Sequence, residues 1–294
     1  MIGTNLCGEF LNRGWQVYAV HRRHEPRLPK GVQPVFLEMQ EYADLRRAVP
    51  ACDVGVMLAW PGTRGMQRND EALQHWNYEQ SMECVRAMLE LGCTTIVTAG
   101  SQAEYGPQPS DRKTTEQSPL SPDTAYGREK KRLFESASNL CKENGARLLE
   151  PRFYSVYGPG DYEGSMVSTI LQKMLKGEPC DLTECKQIWN FLHVTDAARM
   201  LARLIESKAA SGAYNFGALE SAPLRSYVEQ MKSVACSSSE LRFGTIPDRN
   251  GQVLHLNPDT TKLFSVIGIQ LLVSFEQGIA GMVDCLKTQK QNAE

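Results

Sequence analysis

The sequence predicts an α/β fold: a doubly wound parallel sheet with helices on both faces and a smaller C-terminal lobe. Three observations carry this. Short runs rich in β-branched residues alternate with helical patterns through the first half of the chain. Loops rich in Pro, Gly and Ser, at 61–65, 106–123 and 157–165, follow those runs, where open parallel sheets place their ligands. Beyond about residue 156 the alternation becomes irregular, as expected of an inserted lobe.

The elements follow in order. The opening "MIGTNLCGEFLNRGWQVYAVHRRH" reads as a helix over Asn5–Arg13, a stop at Gly14 and a strand over Gln16–Val20 that ends in His21, Arg22 and Arg23. Further strands are "PVFLEM", "DVGVMLAW", "TTIVTAG" and "ARLLEPRFYSV", with helices over 70–91 and 124–144 among them. Then come a helix over 166–176, the strand-like "IWNFLHV", a helix over 196–207, "GAYNFG" and a closing helix. Residues 1–155 with a return segment at about 186–210 are assigned to the main sheet domain. Residues 156–185 and 211–294 are assigned to the smaller lobe.

Composition narrows the function. The 294 residues carry a net charge of -2, which gives no long-range attraction to nucleic acid or to an anionic membrane. Nine cysteines are scattered, odd in number and without a C-x-x-C pair, so reduced thiols are expected rather than a disulfide framework or a metal site. The longest apolar stretch, "FSVIGIQLLVSF", is too short to cross a bilayer, and no signal peptide opens the chain. A cytoplasmic protein is the expectation.

The sharpest chemical signal is "TAYGREK", which places Tyr126 and Lys130 one turn apart on one helix face. A phenol with a pKa near 10 is a poor acid–base catalyst at neutral pH, and a neighbouring ammonium favours its ionised form. The strand "TTIVTAG" delivers Gly100 and Ser101 at its carboxyl end. A serine there can hydrogen-bond the substrate oxygen that a tyrosine protonates.

With these residues in view, the chain resembles the extended short-chain dehydrogenases/reductases, the NAD-dependent epimerase/dehydratase group with a Rossmann-like domain. Gly3 is similar to the last glycine of GxxGxxG, "DVGVMLAW" to the D-V-V-I-H-L-A strand, and "GSQAEYG" to S-S-x-x-x-Y-G. "AYGREK" resembles Y-x-x-x-K, and Asn77 falls at a structural asparagine. The resemblance implies that Tyr126 is the proton donor or acceptor, that Lys130 lowers its pKa and holds the nicotinamide ribose, and that Ser101 steadies the substrate oxygen. It implies cofactor contacts from Gly3, Arg22, Arg23, Leu58, Ala59, Tyr126, Lys130 and Phe153. Substrate contacts fall to Gln102, Ser155, Trp189 and Arg249. Thr195 or Asp196 is read as a helix cap, and His193 as a structural strand residue with a local partner. No metal is implied.

Departures from the pattern sharpen the expectation. Arg22 and Arg23 stand where NAD-binding relatives carry an acidic residue, which favours NADP(H) over NAD(H). Gln102 and Ala103 occupy the positions of the dehydratases' acidic pair, with Glu104 one step later, which disfavours dehydration. Ser155 replaces an asparagine and Trp189 an arginine, whereas Arg249 keeps a family arginine. The first strand and the first two glycines of the phosphate turn do not precede Gly3 in the sequence. Two neighbouring strands should therefore carry unpaired edges, with low stability as a consequence.

The leading expectation is an NAD(P)-dependent oxidoreductase or epimerase acting on a secondary hydroxyl or ketone of a sugar, nucleotide-linked by resemblance, with 4-ketoreduction favoured. A 4-epimerase with retained NAD is the alternative. A non-catalytic binding or regulatory protein on the same fold is the rival from another class. The resemblance also implies a homodimer formed through the helices at 70–91 and 124–144.

Overall fold

The computed structural model describes residues 1–22, 28–108, 112–247, 255–268 and 273–291. The chain opens with α1 (Ile2–Asn12), whose Leu6 and Phe10 lie one turn apart on the buried face. The helix begins three residues before the expected start, because the backbone and side-chain amides of Asn5 both donate to the Met1 carbonyl, at 3.3 and 3.1 Å, and close an extra turn. There follow β1 (Tyr18–His21), β2 (Gln33–Phe36), α2 (Leu45–Ala48), β3 (Val54–Met57), α3 (Glu71–Glu90), β4 (Thr95–Thr98) and β5 (Gly100–Ser101). The run continues with α4 (Ala125–Glu143), β6 (Arg147–Phe153) and β7 (Ser155–Tyr157). The later chain holds α5 (Met166–Lys176), β8 (Cys180–Leu182), β9 (Ile188–Trp189), β10 (Phe191–His193), α6 (Val194–Glu206) and β11 (Gly212–Phe216). It closes with β12 (Ala222–Pro223), α7 (Leu224–Val234), β13 (Leu241–Phe243), α8 (Thr261–Ile267) and α9 (Phe275–Gln291).

The main sheet is parallel throughout, in the order β11-β6-β4-β3, with β5 extending the line of β4 beside β6. Strands β1 and β2 form a separate parallel pair, with Val20 opposite Val35. Both pieces nevertheless lie between the same two helical layers. Val17 and Ala19 share one apolar cluster with Val54, Val56, α1 and α6. Tyr18 and Val20 share the other with Met57, α3 and α4. The alternation of side chains across a strand requires this two-sided burial. Among the described residues β1 and β3 each pair along one edge only, as the sequence leads one to expect.

A third cluster is built from Tyr157, Phe191, Val167, Leu171, Val228, Met231 and Ile279, and gathers α5, α7 and α9. The rings of Phe191, Tyr227 and Phe275 meet edge-on or tilted within it, at centroid distances of 4.7 to 5.1 Å. The parallel pairing of β7 with β10 runs alongside and carries Ser155 opposite Phe191. The polar side chain of Asn190 bonds the Ala218 amide and the Ala218 and Glu220 carbonyls, fixing the turn after β11.

Candidate active site

The site lies at the carboxyl ends of β3 and β4. The sequence suggested one strand reaching Ala99; the backbone instead breaks after Thr98 and resumes at Gly100–Ser101 beside Arg152 and Phe153 of β6. Ser101 then caps a single 3-10 turn, Gln102–Glu104: its Oγ accepts from the Ala103 amide at 3.2 Å. Glu104 answers by accepting from the Ser101 amide at 2.7 Å, which completes a reciprocal cap. The acidic residue that falls one step late in the sequence is thus turned inward.

The start of α4 brings in the phenol. Thr124 accepts from the Gly127 amide at 3.1 Å, and Asn69 accepts from the Ala125 amide at 3.3 Å, so two of the free amides of the first turn find partners. Tyr126 and Lys130 on this helix are both buried, at 7% and 4% exposure. The Tyr126 pKa is raised, first by burial; a hydrogen bond from the Ser101 side chain and the charge of Arg68 pull it down, and Glu104 pushes it up. The Lys130 ammonium donates to the Ala99 carbonyl at 2.7 Å and lies 3.8 Å above the Trp60 ring and 5.9 Å from the Tyr126 ring. Burial pushes the Lys130 pKa down to about 7, against the opposing pull of Glu104 and Glu150.

Two neighbours of the phenol were not singled out from the sequence. Trp60 meets the Tyr126 ring edge-on at 6.2 Å, and the Arg68 guanidinium lies over its face at 4.7 Å. Both belong to a loop that α3 holds in place. Gln74 accepts from the Trp60 indole at 2.7 Å and donates to the carbonyls of Gly62 and Gln67, while Asn77 donates to the Pro61 carbonyl at 2.9 Å. Asn77 is therefore structural, as the resemblance suggested. Trp60 directly follows the "LA" at the end of its strand, a position that could have marked it; Arg68 sits in a loop with no motif of its own.

The remaining expected contacts are spread around this centre. Gly3 lies inside the first turn of α1, and a methyl group there would meet only Leu58, at 3.6 Å, so the two are neighbours. Ala59 is exposed beside them, and Arg22 is exposed at the end of β1. Both ring nitrogens of His21 are buried without a hydrogen-bond partner. Phe153 is buried with its ring 5.3 Å from that of Phe216, which directs the side chain into the core. Gln102 is half-buried next to Ser101, and Ser155 is half-buried at the start of β7. Trp189 packs partly buried against the third cluster with its indole nitrogen unpartnered. Arg23 and Arg249 lie outside the described residues.

The cap of α6 differs from the expectation. The helix starts at Val194, and its cap is His193, whose Nδ1 stands 3.4 Å from the Thr195 amide and 2.8 Å from its hydroxyl. Thr195 and Asp196 fall inside the first turn; Asp196 instead accepts from the Val273 amide at 2.7 Å. The imidazole supplies the acceptor that a short polar side chain would otherwise provide. Among the described residues, no three acidic, histidine or cysteine side chains gather as metal ligands, and no helix is long and apolar enough to cross a membrane.

The residues present suit a dinucleotide at several points. Gly3 keeps the α1 terminus clear for a close approach, His21 and Arg22 offer polar groups at the carboxyl end of β1, and Lys130 and Tyr126 stand beyond β4. CDP-abequose synthase of Salmonella muenchen is 25% identical over 157 residues, 52% of this chain and 53% of its own length. dTDP-glucose 4,6-dehydratase of Xanthomonas campestris is 23% identical over 198 residues, 63% of this chain and 56% of its own. The chain thus spans little more than half the length of the curated relatives it matches. Among solved structures, UDP-glucose 4-epimerase of Thermus thermophilus, in complex with NAD, superposes with a TM-score of 0.85 at 22% identity, covering 98% of this chain and 96% of that one. UDP-N-acetylglucosamine 4-epimerase of Methanobrevibacter ruminantium gives 0.87 at 17% identity, with the same coverage. The family profile matches residues 1–217, and the chain belongs to the NAD dependent epimerase/dehydratase family.

Proposed function

We propose that this chain is an NAD(P)-linked enzyme acting at a secondary hydroxyl or ketone of a nucleotide-linked sugar, with reduction of a 4-keto group favoured. One observation carries the reading: Tyr126 and Lys130 lie buried together at the start of α4, the Lys130 ammonium 5.9 Å from the Tyr126 ring centroid, with Ser101 capping the turn at the carboxyl end of the sheet. The nicotinamide cofactor, when bound, supplies the hydride. Tyr126 gives its phenolic proton to the oxygen that becomes a hydroxyl, or takes it back in the reverse direction. Ser101 holds that oxygen, and Lys130 binds the ribose and keeps positive charge near the phenol. Gly3, Leu58, Ala59 and Phe153 are the further residues that would hold the cofactor. Gln102, Ser155, Trp189 and Arg249 are assigned to the substrate.

The exposed Arg22 and the unpartnered His21 favour NADP(H), because a guanidinium pairs readily with a 2′-phosphate. Gln102 and Ala103 cannot act as the acid and base of an elimination, which argues against dehydration. The names of the relatives support a nucleotide-linked sugar: CDP, dTDP and UDP derivatives all occur among them. The paired helices α3 and α4 are the surface assigned to a second copy of the chain, in a protein of the cytoplasm.

Calorimetric titration with NADPH and NADH, followed by nicotinamide absorbance after adding nucleotide-linked 4-keto sugars, tests this. Preferential binding of NADPH and its oxidation by a keto sugar are expected. Tightly retained NAD with interconversion of 4-hydroxyl epimers would replace ketoreduction by epimerisation. Binding of neither dinucleotide would leave a non-catalytic protein on this fold.

A further inference from the structure

Directly beneath the phenol lies a set of four charged side chains with almost no contact with solvent. Glu104 is 0% exposed, Glu150 and Arg152 are each 1%, and Lys130 is 4%. Arg152 donates through one nitrogen, Nε, to both carboxylates, at 2.9 Å to Glu104 and 3.0 Å to Glu150. Its Nη1 is spent elsewhere, on the Tyr105 hydroxyl at 3.1 Å, which in turn donates to Asn215 at 2.7 Å. One guanidinium therefore stands against two carboxylates. A second cation must balance the second carboxylate, or that carboxylate must hold a proton.

The backbone places Lys130 to be that cation. Three consecutive residues join it to the pair. Lys130 donates to the Ala99 carbonyl, the Ser101 amide donates to Glu104, and Gly100 between them lies against both carboxylates. A methyl group on Gly100 would come within 2.6 Å of Glu150 Cγ and 2.9 Å of Glu104 Oε1. The absence of a side chain at this position is what lets the two acids close on the segment that carries Lys130's acceptor.

We propose that Glu104 and Glu150, sharing Arg152, are positioning carboxylates that favour the protonated form of Lys130 beneath Tyr126. The inference rests on the acid–base reading of Tyr126 and Lys130 given above. The groups that face Lys130 come from every neighbouring element. Glu104 closes the 3-10 turn, Glu150 belongs to β6, Tyr126 to α4 itself and the Trp60 ring to the loop after β3, while Arg152 stands behind the two carboxylates. Glu116 and Lys262 act only at the outer end, beyond Tyr105 and Arg152. Burial drives Lys130 toward the neutral amine, and the two carboxylates are the groups that oppose it. Burial and mutual repulsion raise Glu150 well above the usual carboxylate range, so charge on Lys130 and charge on Glu150 support each other.

The test is Glu104→Gln, which keeps the size and one acceptor oxygen for the Ser101 amide, removes the charge and gives up the acceptor for Arg152 Nε. Lysine labelled with 13C at Cε reports protonation by NMR, with the Lys130 signal assigned from Lys130→Met. The midpoint of Lys130 is expected to fall by about one pH unit, tenfold in proton affinity. The alkaline limb of turnover should move down with it, while the folded spectrum is kept. An unchanged Lys130 midpoint in a folded Glu104→Gln protein overturns the proposal and leaves Glu104 as a cap alone. Glu150→Gln is the second variant, with the same expected direction and the same overturning result. The NMR midpoint needs no substrate, so failure of the enzyme reading would show as absent turnover with the midpoint shift intact.

Discussion

The guanidinium of Arg68 lies over the ring of Tyr126, its Cζ 4.7 Å from the centroid. The contact is fixed from both sides. Asn69 binds the start of α4, Gln74 holds the carbonyls of Gly62 and Gln67, and the Arg68 guanidinium donates to the Thr63 carbonyl at 3.3 Å. A phenol in a buried site resists ionisation, and a cation over its face offsets part of that resistance.

Arg68→Gln should therefore raise the Tyr126 pKa further. With 13Cζ-labelled tyrosine, and Tyr126→Phe for assignment, the Tyr126 signal should titrate at higher pH than in the parent. An unmoved midpoint would show that the guanidinium lies there without acting on the phenol.

Gly127→Ala reverses the usual helix rule. Alanine in a helix interior gains about 1 kcal/mol over glycine. Here the new methyl group would stand 2.4 Å from the Ala103 carbonyl oxygen and 2.9 Å from Pro122 Cβ. Backbone on the site turn must move to admit it, and a net loss of about 1–3 kcal/mol is expected in urea unfolding. A stabilised protein would mean that the 102–106 turn yields easily.

Lys130 makes stability depend on pH in a stated direction. Its folded pKa, about 7, lies below the ordinary 10.5. Between those values the unfolded chain binds a proton that the folded chain does not, so the Lys130 contribution to stability rises with pH from about 7 to 10.5. The stability of the parent relative to Lys130→Met, measured by denaturant titration at several pH values, should increase across that window. A flat difference would place the ammonium in a solvated setting.

Arg64 ties the loop after β3 to the loop after β7, pairing with Asp161 at 3.2 Å and lying 4.9 Å from the Tyr162 ring centroid. The arginine side chain is half exposed, so Arg64→Ala should cost less than about 1 kcal/mol of global stability. Its effect should be local: faster amide hydrogen exchange at 158–165, read by mass spectrometry. Equal exchange in parent and variant would show that the pair does not hold the two loops together.

Much of this arrangement was legible in the sequence because it is local. Strand runs and helix periodicity located the sheet, and the four-residue spacing of Tyr126 and Lys130 put both on one buried face of α4. Glu104 was visible only as an acidic residue out of place, because its partners Arg152 and Glu150 lie more than forty positions away on another strand. Arg68 reaches Tyr126 through the fold of a loop that Gln74 shapes, and no spacing encodes that. The role of His193 as a cap was hidden for a different reason. Histidine is not among the residues that usually cap a helix start, and here its Nδ1 takes that place 3.4 Å from the Thr195 amide.

The central claim is that Tyr126 moves the proton while a bound nicotinamide moves the hydride. Comparing turnover of a nucleotide-linked sugar by the parent and by Tyr126→Phe, with calorimetric titration of the dinucleotide into both, tests it most directly. Tyr126→Phe is expected to bind the dinucleotide with little change and to lose turnover by at least about a hundredfold. A Tyr126→Phe protein that binds the dinucleotide and turns over at the parent rate would contradict the claim.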